Sequence, residues 1–578
     1  MPRAKSRQPR AAFLFAAVLL AVCVPKCKAL DREAFTFTHY DLQVRVEPEQ
    51  QRLAVRGKIS LRNDSSVAQK NLSLQISSSL SWRAIRVMGK PVQFVSQPYT
   101  SDIDHTGSLS EAIVSLPAPV APKGTVELEI GYEGIVPLDT TRLTQIGAPE
   151  QTAKHSDWDQ ISKAFTAVRG IGYVAWYPIA CEAASLTDEN SVFETIGRWK
   201  MRHADSSMRV SFQVTSGLRL WFSGEQESTG KSDASEQNPT SFTMARFGQE
   251  VPTFVIASFE ELHSPGFTRI AYLYGEEEAA NDFSLASELA KTFVTSWFGP
   301  PREKAEVLEL ADQDAAPFEN GSTLLTPFNP KADARLLQMT AVHQLTHAAF
   351  SSRRLWIYEG LAHFAQAVYR EQLDGRAAAL QFMALHGAGV LDAESAAAKD
   401  KDANAPAQHS LINTSVPEFY RGKAMYVWWM LRDMLGDETL KKALAGYHAD
   451  QEGDPAYVQH LVAAQTKRDL EWFFDDWVYR DKGLPDFRVE AAVPRPTVGG
   501  GYIVTVTVAN DGNAGAEVPI VLKVEGGEVV RRLEVRAKSK SSIRIEAPSA
   551  PQQVIVNDGS VPEFDATNNI LKVELPTR

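Results

Sequence analysis

Cysteine is scarce in this chain: there are three in 578 residues, and two of them, Cys23 and Cys27, fall within the first 29. If that stretch is removed, Cys181 stands alone and no internal disulfide can form. Stability must then come from large apolar cores, with Cys181 expected to be a buried, inert thiol. Long apolar runs are missing too. The run AAFLFAAVLLAVCV has 14 residues, short of the ~20 a membrane-spanning helix needs, and no later stretch approaches that length. Basic charge is in deficit. Beyond residue 29 there are 54 Lys and Arg against 71 Asp and Glu, a formal net charge of −17, which disfavours nucleic acid and anionic membrane as partners. Repeats and collagen-like or disordered composition are also absent.

What is present begins with a basic MPRAKSRQPR, the apolar run, and CKA before a cleavable bond. That layout predicts a signal peptide over 1–29, hence a secreted or periplasmic protein with no integral span beyond it. Retention of the segment as an N-terminal anchor is the alternative. The remaining length calls for several domains. Residues 30–262 alternate apolar and polar positions, as in YDLQVRVEPEQQRLAVRGKISLRND, and predict an antiparallel β saddle or sandwich. Residues 263–485 read as mainly helical with a small sheet. In SLASELAKTFVTSWFGPP, Ser284 is the expected N-cap and Leu285, Leu289, Phe293 and Trp297 the apolar stripe. Further helices are expected at 332–350, 354–373, 416–435, 437–447 and 469–480, and strands at AEVLELAD and STLLTPF. Residues 486–578 return to β and suit a small immunoglobulin-like sandwich, making the whole a multidomain α+β protein.

Within the helical region, HQLTH places His343 and His347 one turn apart on one helix face. LWIYEGLAHF follows, and a second helix running back antiparallel would bring Glu359 to the same point. Two imidazoles and one carboxylate make a three-ligand zinc site, for one ion, with a position open for water, the catalytic rather than the structural type.

The helix pair, PFENG upstream, FYRGKAMYVWWMLRDMLG downstream and DLEWFFDDWVYRDKGLPDFRVE at the end of the helical region together resemble the aminopeptidase N family of gluzincin zinc peptidases. WYPIACEAA resembles that family's N-terminal β domain. The resemblance covers most of the chain and implies a thermolysin-like metallopeptidase domain acting on peptide or protein N-termini. It assigns the zinc ligands to His343, His347 and Glu359, and anchoring of the substrate's α-amine to Glu319 with Asn320 beside it. It assigns oxyanion donation to Tyr420.

Three departures from the family pattern bear on activity. Gln344 stands where the family has its general base, and an amide cannot take a proton from water near neutral pH. General-base help contributes roughly 10²–10⁴ in rate. The gap between His347 and Glu359 is eleven residues where the family has eighteen, and APFEN replaces G-A-M-E-N, with Pro317 removing a backbone donor. Two readings follow. In one, an exported zinc-binding protein keeps a peptide cleft with hydrolysis weak or lost. In the other, an active metallo-aminopeptidase relies on zinc-generated hydroxide or on a substitute base, for which His363, one turn after Glu359, is a candidate. His363 is otherwise expected to orient a zinc ligand or simply to pack.

Overall fold

The computed structural model describes residues 30–575 except 189–190, 215–217, 228–238, 264–266, 330 and 400–409. The expected signal segment, with Cys23 and Cys27, lies outside the described residues.

The N-terminal half is built on an eight-stranded sheet ordered Glu225–Gln226, Thr240–Met244, Ser207–Val214, Phe35–Glu47, Arg52–Asn63, Thr125–Ile135, Leu80–Val87, Lys90–Pro91. Along Phe35–Glu47, Leu42, Val44 and Val46 face the core while Gln43 and Arg45 face out, the alternation a half-buried strand requires. One pairing departs from the expected antiparallel arrangement: Phe35–Glu47 and Ser207–Val214 run parallel. A parallel neighbour needs a crossover, and the long intervening chain supplies one. Nor is this half β throughout. Helix α1, Ser191–His203, buries Val192, Thr195 and Trp199, a three-to-four spacing that the surrounding strand pattern masked. Cys181 is buried and free in this core, and burial pushes its thiol up, as an inert thiol requires.

A second sheet of five strands is ordered Glu260–His263, Thr268–Tyr272, Ala305–Glu309, Thr323–Thr326, Phe318–Asn320. Its first two strands form a hairpin across the expected boundary at 262/263. Phe318–Asn320 is an edge strand that turns into Thr323–Thr326 at Gly321. There φ is +64° and a Cβ would fall 2.3 Å from Glu250 Oε1, so the turn demands glycine.

Helix α2, Glu277–Phe298, starts well before Ser284, and Leu285 and Leu289 are exposed while Phe293 and Trp297 are buried. A four-residue spacing drifts about 40° per step around a 3.6-residue helix, so it cannot keep four residues on one face. Ala286, Ala290 and Val294 complete the buried face instead.

Helices α3, Ala334–Ala349, and α4, Leu355–Asp374, are the expected pair. Asp333 caps α3 by accepting from the amides of Arg335 and Leu336. Helix α5, Arg376–Lys399, was not foreseen; it is rich in alanine, and only Ala379, Met383, Val390 and Glu394 are buried, so no stripe of large apolar residues marks it. A π-helical turn, Glu418–Lys423, leads into α6, Ala424–Leu435. The C-terminal region forms a three-stranded and a four-stranded sheet, with antiparallel pairings throughout. Its core is continuous with that of the helices, and Trp477 Nε1 donates to the Gly515 carbonyl across the junction at 2.7 Å. Among the described residues no helix is long and apolar enough to cross a membrane.

Candidate metal centre

Helix α3 is buried along almost its entire last three turns, and His343 and His347 lie on its inner side, 6% and 1% exposed. Their spacing turns both rings toward one point: the two Nε2 atoms are 3.0 Å apart. Glu319, on the edge strand, completes the convergence. Its Oε1 is 2.8 Å from His343 Nε2 and 3.6 Å from His347 Nε2. Gln344, one residue past His343, donates from Nε2 to the same Glu319 Oε1 at 2.6 Å. The amide orientation is chemically determined, since turning it would set Oε1 against a carboxylate oxygen.

Glu359 on α4 stands farther back. Its Oε1 is 3.9 Å from His347 Nε2, and its Oε2 lies 3.3 Å from Arg421 Nε. The close approach that allows this comes from Gly360, where a Cβ would meet the Ala424 Cβ at 2.7 Å. Arg421 and Tyr420 sit on the π-helical turn, from which the guanidinium faces Glu359. Arg421 also lies over the Tyr420 ring at 5.6 Å. The sequence reading missed Arg421, although it directly follows Tyr420.

The surrounding shell holds the histidines. His343 Nδ1 meets Gln366 Oε1 at 3.3 Å, so Nδ1 donates there and Nε2 is the nitrogen turned toward Glu319 and His347. Tyr358 stacks on His347 at 3.9 Å. His363 packs edge-on against His343 with ring centroids 5.0 Å apart, and no hydrogen bond joins it to Glu359 among the described residues. Asn320 turns away from the cleft. It is 1% exposed, accepting from the Val251 amide at 2.8 Å and donating to the Val251 carbonyl at 2.9 Å, which pins the edge strand to the N-terminal half.

Electrostatically, Glu319 and the two histidines govern one another. Burial disfavours charge on His343, but Glu319 outweighs it and raises the imidazole. Burial and the neighbouring His343 push His347 down to about 4. Burial likewise works against the Glu319 carboxylate, yet the two histidines and Arg421 hold it well below the usual range. Burial, reinforced by Glu359, pushes the Tyr420 phenol up to about 12, so it stays protonated and able to donate. Lys200, half-buried on α1, is lowered by burial against the pull of Glu359 and Glu319.

These residues fit a zinc ion. Ligand atoms 2.0–2.1 Å from a tetrahedral zinc lie about 3.3 Å from one another. Glu319, His343 and His347 offer ligand atoms all within 4.8 Å of one another, and the three separations bracket that edge length. His347 Nδ1 and Gln344 Oε1 are buried without a hydrogen-bond partner among the described residues, so the polar network is not closed. A second grouping, His155 with Asp312 and Asp314, directs opposite ring nitrogens at its two carboxylates and offers no comparable convergence.

No protein-family model matches the chain, and no curated protein matches it. Solved structures do. An M1 zinc metallopeptidase from Deinococcus radiodurans is 16% identical, with a TM-score of 0.48, over 78% of this chain and 95% of that one. A mutant of that enzyme bound to a Tyr-Ser-Ala substrate gives a TM-score of 0.47 at the same identity and coverage. A mutant two-domain M1 zinc metallopeptidase bound to L-arginine gives 0.48, again at 16% identity. The structural neighbours of this chain are thus M1 zinc metallopeptidases at low sequence identity, a likeness of form that leaves the chemistry to the distances above.

Proposed function

We propose that the chain is an exported zinc-binding protein with a peptide-accepting cleft, in which peptide hydrolysis is weak or lost. The observation that carries the reading is Gln344. Its amide occupies the general-base position and spends its donor on Glu319, so it offers no basic lone pair to a water in the cleft. Zinc held by this cluster would supply Lewis acidity and lower the pKa of bound water. The chain's own contributions are holding, orienting and shielding. Gln366 and Tyr358 orient the two imidazoles, and burial on α3 excludes bulk water from them. Tyr420 keeps a proton to donate to an oxygen that gains charge. The Phe318–Asn320 strand pairs with Thr323–Thr326 on one side only, so its other edge offers main-chain groups to an extended peptide. Pro317 shortens that edge by one donor. Export is supported by the basic and apolar N-terminal pattern.

The test is zinc stoichiometry by equilibrium dialysis, with turnover of aminoacyl-coumarin substrates by the wild type and by Gln344→Glu, both assayed in excess zinc. One zinc per chain, a near-silent wild type and a faster variant are the expected results. Rapid wild-type turnover would instead support the active metallo-aminopeptidase reading.

A further inference from the structure

We infer that the carboxylate completing the metal site is Glu319, not Glu359, and that Gln344 is the residue that holds it there. The inference rests on the zinc reading above and specifies its ligand set. Glu319 Oε1 approaches both Nε2 atoms, at 2.8 and 3.6 Å, and forms one group with them. Glu359 is outside that group, with 3.9 Å to His347 Nε2 as its recorded approach to the pair.

Contacts separate the two carboxylates as well. Glu359 Oε2 lies 3.3 Å from the Arg421 guanidinium and has no hydrogen-bond partner among the described residues. Glu319 Oε1 instead meets both imidazoles and the Gln344 amide directly. A carboxylate ligand needs an outer donor to fix its direction, and the Gln344 amide fills that need at 2.6 Å. A glutamate at 344 would place two carboxylates in contact and drive them apart or make them share a proton. Gln344 is therefore matched to Glu319 as a ligand, and the residue that removes the general base is the one that builds the alternative site.

The experiment measures zinc affinity by chelator competition on the full chain. The variants are Glu319→Gln, Gln344→Glu, Glu359→Gln and the charge-balanced double variant Glu359→Gln, Arg421→Gln, with circular dichroism and apo melting temperature as folding controls. The double variant is needed because Glu359→Gln alone leaves Arg421 unpaired beside the ion. Glu319→Gln is expected to lose at least about 100-fold in affinity, above the 10–100-fold range of outer residues. Gln344→Glu should lose about 10-fold or more, and the double variant less than about 10-fold. A reversed order, or equal losses from both carboxylates as in a closed four-ligand site, overturns the assignment while leaving zinc binding standing. A wild type that takes up no zinc after reloading overturns the proposed function together with this inference.

Discussion

Two buried charge clusters, one in each half of the molecule, are finished to different degrees. In the N-terminal half Arg169 and Asp159 are 1% and 0% exposed. The Arg169 side chain reaches Asp159 through Nε at 2.9 Å and Nη2 at 2.6 Å, and its own backbone amide donates to the same carboxylate at 2.7 Å. Ser156 accepts a further bond, and Trp158 and Tyr173 sandwich the guanidinium at 3.6 and 3.4 Å. Cation, anion and hydrogen bonds are all matched. The candidate metal centre is the opposite case: two imidazoles and a carboxylate share one point while His347 Nδ1 and Gln344 Oε1 stay unpaired among the described residues. A closed cluster fixes a fold, and an open one makes room for a ligand.

Breaking the closed cluster should have the largest effect on stability. Arg169→Ala leaves Asp159 buried without its cation and is expected to cost about 3–5 kcal/mol in chemical denaturation. Zinc affinity should fall by less than about tenfold, because Arg169 reaches the Glu319 strand only through Phe318, 5.4 Å from its guanidinium carbon. At the open cluster the order reverses. His347→Ala should abolish the rise in melting temperature that zinc gives the wild type, a stabilisation of about 2.7 kcal/mol at a hundredfold excess over Kd.

A third buried group sharpens the contrast. Glu563 accepts from Asn557, Asn569 and the Phe487 amide with no cation beside it, and burial raises its carboxyl from 4.5 to about 7. The folded state thus binds this proton more tightly than the unfolded one. Its contribution is complete below pH 4.5 and is lost as pH rises through 7. Glu563→Gln should flatten that stretch of the stability–pH curve, as measured by chemical denaturation on either side of pH 7. The smallest effect is expected from Gln344→Ala, which removes only the outer donor to Glu319. Zinc affinity should drop about 10-fold by chelator competition, with the apo melting temperature nearly unchanged.

The sequence carried the parts of this site that are local. His343 and His347 are four apart on one helix, and α3 and α4 lie close to the expected spans, because helical periodicity is a short-range signal. The resemblance put Glu319 in the same cleft as an amine anchor, but its direct contact with both imidazoles was not legible. Glu319 sits on a three-residue strand, too short for any alternation, and its direction depends on Asn320 bonding to Val251, 69 residues away. Arg421 was hidden for a related reason: a π-helical turn shifts side chains off the 3.6-residue register from which faces are inferred. Helix α5 went unseen because its large apolar residues are set in a run of alanines broken by Gly387 and Gly389 and form no regular stripe, and the leucines of α2 were placed inside by a spacing that real helices do not keep.

The bond between Asn320 and Val251 has a consequence for assembly. The imidazole pair sits on α3, whereas the bearing of the neighbouring carboxylate is set by the contact with Val251 in the N-terminal half. An ion gripped by all three would hold these two regions in register. Its uptake would therefore report whether they have come together, and severing them would leave the paired rings intact but their third grip adrift.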